Sequence, residues 1–366
     1  MASHVQVQST TTTTTDVEEG ERWCQLPLNL MEMLLECLSI PDRIRVAAVC
    51  EPWRSVASTL GFLEAARPPW LFVSTFYDWS WSLQTVVGEP VSDIKFLNNL
   101  QNEWLCGSSK GWLLISRREH NRGCLHVCLL NPITGAKVEL FTCFTNIANG
   151  VLSASPLTRD YMFAAIGCTK YHDRMVVMVR TTMGDYRTLE ASKPTDIYFH
   201  GGRFYVLTQS WEVIVHEFDP DPVMLLTIRL PLGEEYDCWY DGQLAELNGD
   251  VLIVAYGLHP RQEYDIKVFK LPEMADGPVV QVNSLGGSTL FISQFSEAVS
   301  VKRSAFGADC IYGFAKCFME TLMAYSMKDE GMFELAEIDL GHQMFAWFTP
   351  TLLKMEPSNL EENSMI

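Results

Sequence analysis

The chain has 366 residues with 45 acidic against 27 basic side chains, a formal net charge of −18. That balance argues against nucleic acid or an anionic membrane as the main partner, while 48% hydrophobic and 11% aromatic residues supply enough apolar surface for a sizeable core. Eleven cysteines stand singly without a CxxC pair, and no apolar run follows Met1. No stretch nears the roughly 18–20 apolar residues of a spanning helix, so the expectation is a reduced compartment, nucleus and/or cytoplasm, with no leader and no membrane anchor.

Residues 1–21, with the run Thr10–Thr15 and a charge of −4, read as a disordered tail, and residues 354–366 as a second one. From Trp23 to Val56 the pattern is helical. Pro27 presets φ at a helix start, and Leu30, Met31, Leu34, Leu35 and Leu38 recur at three- and four-residue steps as one apolar stripe. Pro41 opens a second helix with Ile44, Ala47 and Ala48 expected inside and Asp42, Arg43 and Arg45 in solvent. Pro52 begins a third, in which Trp53, Val56, Ala57 and Leu60 share a face. Three such short helices bury little surface alone and call for a partner or a neighbouring domain. Arg67-Pro68-Pro69 ends the stretch, separating the piece 22–66 from a larger one, 67–353; residues 22–67 are neutral and those after 67 carry −14.

Beyond Trp70 the period becomes that of strands. The runs 71–76, 112–116, 125–130, 174–182, 203–207, 212–218, 250–256, 265–271, 289–293, 310–315 and 322–327 are rich in β-branched and aromatic residues and bounded by turn formers. Tight turns precede strands at Lys110-Gly111, Gly201-Gly202 and Asn248-Gly249, with glycines 91 and 47 residues apart. A unit of about 45 residues is the length of a β-propeller blade. The fold class expected is therefore α plus all-β: three N-terminal helices, then a propeller of about six blades, seven if some are short, whose radial closure removes exposed strand edges.

At this point the residues carry a resemblance. Leu26-Pro27, Leu34, Leu38, Pro41-Asp42-Arg43-Ile44-Arg45, Val49-Cys50 and Trp53-Arg54 resemble the F-box, although Glu51-Pro52 stands where that family more often has basic or small polar residues. Cys106–Leu114, Leu130-Asn131-Pro132-Ile133-Thr134-Gly135, Ile197–Tyr205, Val282–Phe291 and Cys310-Ile311-Tyr312 resemble plant F-box proteins with a KIB-type β-propeller. The resemblance spans residues 23 to about 350. It implies a plant source and a non-catalytic substrate receptor of an SCF-type ubiquitin ligase, in which Leu26, Pro27, Leu30, Leu34, Leu38, Ile44, Val49 and Trp53 meet a Skp-type adaptor and, through it, a cullin. An F-box scaffold outside ubiquitination, or a propeller that binds a ligand, is the alternative.

Several patterns point to chemistry, and their context decides against it. Gly107-Ser108-Ser109-Lys110-Gly111 fits G-x-S-x-G, but a nucleophile elbow needs a helix after the turn and Trp112-Leu113-Leu114-Ile115 is a strand. Cys124, His126 and Cys128 share one strand face but lack the second ligand pair of a zinc site. No cofactor or metal is expected. Two loops dense in aromatics and acids are the expected target-binding residues: Tyr77, Trp79 and Trp81 in one, Tyr236, Trp239 and Tyr240 in the other, selecting a basic protein if they lie on one rim. The alternative is that these rings cover blade edges.

Overall fold

The computed structural model describes residues 23–38, 40–47, 50–59, 69–75, 81–86, 103–118, 125–140, 145–158, 160–168, 174–181, 186–218, 221–232, 240–258, 264–272, 277–302, 306–315, 321–339 and 343–350. The chain divides into two units, Met1–Phe62 and Leu63–Ile366.

The first unit contains α1 (Leu28–Cys37), α2 (Ile40–Ala47) and α3 (Glu51–Thr59). Pro27 is the N-cap of α1, and its carbonyl accepts the N–H groups of Leu30 and Met31 at 3.0 and 3.1 Å. Met31, Leu35, Trp53, Val56 and Ala57 are buried and form the core. Arg43, expected in solvent, is buried instead: its Nε donates to the Leu38 carbonyl at 2.9 Å. Arg54 Nε likewise donates to the Ala47 carbonyl at 3.2 Å. The last carbonyls of a helix have no intrahelical donor, so an arginine reaching back from the following helix stabilises each end and ties the helices together.

The second unit is a six-bladed propeller, and among its described residues there is no helix. The first blade is β3 (Trp104–Ser109), β4 (Trp112–Arg118), β5 (Leu125–Leu130) and β6 (Lys137–Leu140); the second is β7 (Asn146–Leu152), β8 (Met162–Cys168), β9 (Arg174–Arg180) and β10 (Tyr186–Leu189). The third is β11 (Pro194–His200), β12 (Arg203–Thr208), β13 (Glu212–Phe218) and β14 (Pro222–Arg229), and the fourth is β15 (Tyr240–Leu247), β16 (Asp250–Leu258), β17 (Tyr264–Lys270) and β18 (Val280–Val282). Each is an antiparallel meander with its first strand innermost. The three tight turns read from the sequence join β3 to β4, β11 to β12 and β15 to β16, with Lys110, Gly111, Gly201, Gly202, Asn248 and Gly249 all at positive φ. Paired positive φ values give the turn a twist matching that of the strands. All eleven strand runs expected from the sequence coincide with strands.

Two blades depart from the meander. In the fifth, β20 (Ser296–Lys302) is innermost and β19 (Ser288–Ser293) second, so β19 pairs in parallel with β21 (Cys310–Ala315), followed by β22 (Thr321–Ser326) and β23 (Gly331–Asp339). The sixth closes the ring by pairing the two ends of the unit: β1 (Trp70–Thr75) lies between β2 (Trp81–Gln84) and β24 (Gln343–Phe348). Phe72, Ala346 and Phe348 are fully buried there, so closure is apolar as well as hydrogen-bonded.

Around the axis the strands β3, β7, β11, β15, β20 and β24 touch in succession. Ser109 Oγ accepts the Leu152 N–H at 3.0 Å, Asn149 Nδ2 donates to Asp196 Oδ1 at 2.7 Å, and the Leu244 N–H donates to Asp196 Oδ2 at 2.7 Å, at sequence offsets of 43, 47 and 48. The blade period thus reappears as a ladder of polar contacts between equivalent positions. Gly107 and Gly150 let the first two inner strands approach until a Cβ on Gly107 would sit 3.3 Å from the Gly150 carbonyl oxygen. Ser109 Oγ also donates to Glu297 Oε2 at 2.8 Å, and Lys110 Nζ lies 2.6 Å from Glu297 Oε1, joining the fifth blade to the first.

Candidate functional site

The helix α1 is apolar on two sides, and only one of them is used within its unit. Met31 and Leu35 are 3% and 0% exposed, whereas Leu30 and Leu34, next to them on the helix, are 42% and 44% exposed. The single stripe read from the sequence is therefore two rows. The three-and-four spacing cannot separate them, because residues one apart lie about 100° apart around the axis. Met33, beside Leu30 around the helix, is 61% exposed, and Leu28 and Trp23, at and before the start of α1, are 61% and 60% exposed. The sequence reading missed these three; the signal was the apolar surplus of α1 over what one core face requires. Pro27 is exposed, and Leu26 and Leu38 are half-buried.

Trp53 does not belong to this face. It is buried, and its Nε1 donates to the Trp23 carbonyl at 3.0 Å, so it supports the exposed row from beneath rather than lining it. The reason is its place on the inward side of α3, beside Val56 and Ala57. Ile44 lies on α2 by its backbone, and Val49 lies outside the described residues.

In the propeller the two aromatic loops fall largely outside the described residues, among them Tyr77, Trp79, Tyr236 and Trp239. The strand ends that bracket them are described. Thr75 pairs with Gln343, the first residue of β24, and Tyr240 is the first residue of β15. Residues 107 and 109 face 150 and 152, and 293 and 296 face 345 and 347, so these inner strands run in one direction and their first residues share a rim. Those described strand ends thus lie at that rim, opposite the one carrying the three glycine turns. Trp81 is half-buried and edge-on to Phe72, with ring centroids 5.1 Å apart. Its ring packs on the sheet, the alternative the sequence left open.

The serine of the G-x-S-x-G pattern lies in a strand–turn–strand and is bound to Glu297 and Leu152, which rules out an elbow there. Of the cysteine-histidine face, Cys124 lies outside the described residues, His126 Nε2 is 2.9 Å from Glu139, and burial pushes the Cys128 thiol up to about 12. Among the described residues no three His, Cys, Asp or Glu side chains converge to hold a metal ion.

Comparison with known proteins accounts for both units. The profile of the F-box domain matches residues 23–64, and that of the KIB1-4 beta-propeller matches residues 82–334. F-box/kelch-repeat protein At1g57790 of Arabidopsis thaliana is 27% identical over 367 aligned residues, covering 92% of this chain and 97% of that protein. F-box protein At3g56470 of the same plant is 26% identical over 117 residues, 32% of this chain and 30% of its own length. Among solved structures, TolB from Acinetobacter baumannii aligns at 11% identity and a TM-score of 0.44, over 78% of this chain and 67% of that one.

Proposed function

The chain belongs to the KIB1-4 β-propeller family and begins with an F-box domain, and from that premise we propose that it is the substrate-recognition subunit of an SCF-type ubiquitin ligase. The observation that carries this reading is the unused apolar row of α1, Leu30 and Leu34 with Met33 beside them, held out on a unit that already has its own core. Apolar anchors at helical spacing are what a groove on a helical partner accepts. That partner is a Skp-type adaptor, bound in turn to a cullin.

The propeller holds the target. Its part in the reaction is proximity: a lysine kept beside the charged transfer enzyme reacts as if intramolecularly, with no catalytic residue needed on the receptor. The acidic balance of the residues after 67, Asp78, Glu234, Glu235 and Asp237 among them, favours a basic target. The place of work is the nucleus and/or cytoplasm. The test is binding of the purified full chain to a purified Skp-type adaptor: a stable complex that Leu26→Ala with Pro27→Ala abolishes is expected, and failure of the wild-type chain to bind would sink the reading.

A further inference from the structure

The rim at which the inner strands begin is hollow between the first and second blades. A cavity of about 390 Å³ opens there, bounded by Trp104 and Leu105 of β3, Leu125 of β5 and Ile147 of β7. Phe295, in the turn between β19 and β20, supplies a further wall. This volume falls in the range of sites that take up whole ligand groups, roughly 300–1,000 Å³, and exceeds what one branched aliphatic side chain fills.

Its chemistry is specific. Two of the lining side chains bind each other, the Cys106 thiol donating to the Ser116 hydroxyl at 3.0 Å. Trp104, 41% exposed, borders the opening. Asn146, exposed beside it, carries an amide that can both donate and accept, the complement of a backbone peptide group. A carboxylate stands close by: Asp241 accepts hydrogen bonds from Gln294, the neighbour of Phe295, and from the Gly242 N–H.

We infer that this cavity takes a bulky aromatic side chain from an extended segment of the target, with Lys or Arg adjacent to it in the segment. Rings of Trp104 and Phe295 enclose the anchor, Asn146 pairs with the segment's backbone, and Asp241 meets the flanking cation. The inference rests on the receptor reading and names the chemistry of what the receptor holds.

The test uses the full chain and short synthetic peptides whose central residue is Trp, Phe, Leu or Ala, with lysine or glutamate flanks, read by fluorescence anisotropy. The expected result is that aromatic centres with lysine flanks bind at least about tenfold tighter than the alanine-centred or glutamate-flanked versions. Trp104→Ala and Phe295→Ala should each remove that preference, with folding checked by circular dichroism, while Val223→Ser on the outer strand β14 leaves it unchanged. Absence of any peptide binding, an aromatic preference that survives Trp104→Ala, or competition by N-acetyltryptophanamide as strong as that of the peptide would each overturn the inference, the last assigning the cavity to a small aromatic molecule. Adaptor binding measured on the same preparations separates the two proposals. Loss of peptide selection with adaptor binding intact removes only the cavity's role; the converse removes only the ligase.

Discussion

Asn149 of the second blade donates to Asp196 of the third at 2.7 Å, and the other oxygen of Asp196 is held by the Leu244 N–H of the fourth. One buried carboxylate therefore joins three blades at the axis. Burial pushes its pKa up to about 7, against hydrogen bonds from Leu244, Ile197 and Asn149 that favour the charged form; the nearby Asp241 adds to the rise.

This gives the propeller a pH dependence of known sign. An acid whose folded value lies above its unfolded one binds its proton more tightly when folded, so its contribution is fully present below about 4 and is lost as pH rises through about 7. The difference is on the order of 4 kcal/mol at most. In urea titrations, Asp196→Asn should flatten the decline in unfolding midpoint between pH 5 and pH 8 relative to wild type. An unchanged pH profile would show that Asp196 does not titrate in this window.

Gly313 lies in β21 beside the parallel pairing with β19, at φ 128°, and a Cβ there would sit 1.7 Å from the Ile292 carbonyl oxygen. Backbone cannot yield as a side-chain tip can. Gly313→Ala should cost about 3 kcal/mol or more, seen as a lowered thermal midpoint of the propeller transition.

Arg43 closes α1 through the Leu38 carbonyl from a buried position. Arg43→Ala removes one buried donor to that carbonyl and should cost the helical unit roughly 1–3 kcal/mol. Hydrogen exchange should therefore speed up across residues 28–59 while protection in the strands of the propeller stays as it was.

The exposed row on α1 makes the opposite prediction. Leu30→Asp with Leu34→Asp touches side chains already in solvent, so the thermal midpoint should move by little, while affinity for a Skp-type adaptor falls by about a hundredfold or more. A loss of folding instead of affinity would mean that these leucines belong to a core.

How much of this was legible in the residues differs between the outer and inner parts of each blade. Every strand run read from the sequence is a second or outer strand, such as β4, β5, β9, β12, β13 and β16. None of the six inner strands was among them. The inner strands of three successive blades read NIANGVL, PTDIYFH and YDGQLAEL, and their Asn, Gly, Asp and Gln are residues that strand propensity rejects. They are strands because each is paired within its blade and packed on its neighbours at the axis, where polar side chains bind across blades. The period was visible all the same, because the turns and third strands repeat locally.

For this protein, local patterning was enough for the helical handle, the strand-rich remainder, the period near 45 residues and the family, since turn chemistry, alternation and motif spacing all act within a few residues of one another. Which face of α1 is spare, that Trp53 and Arg43 work inside the handle, that the fifth blade holds a parallel pair, and that Trp104 and Phe295 border one cavity all depend on residues far apart in the chain. Trp104 and Phe295 meet only because the ring closes, with β24 beside β1; closure is a property of the whole chain, and no short window of it carries that information.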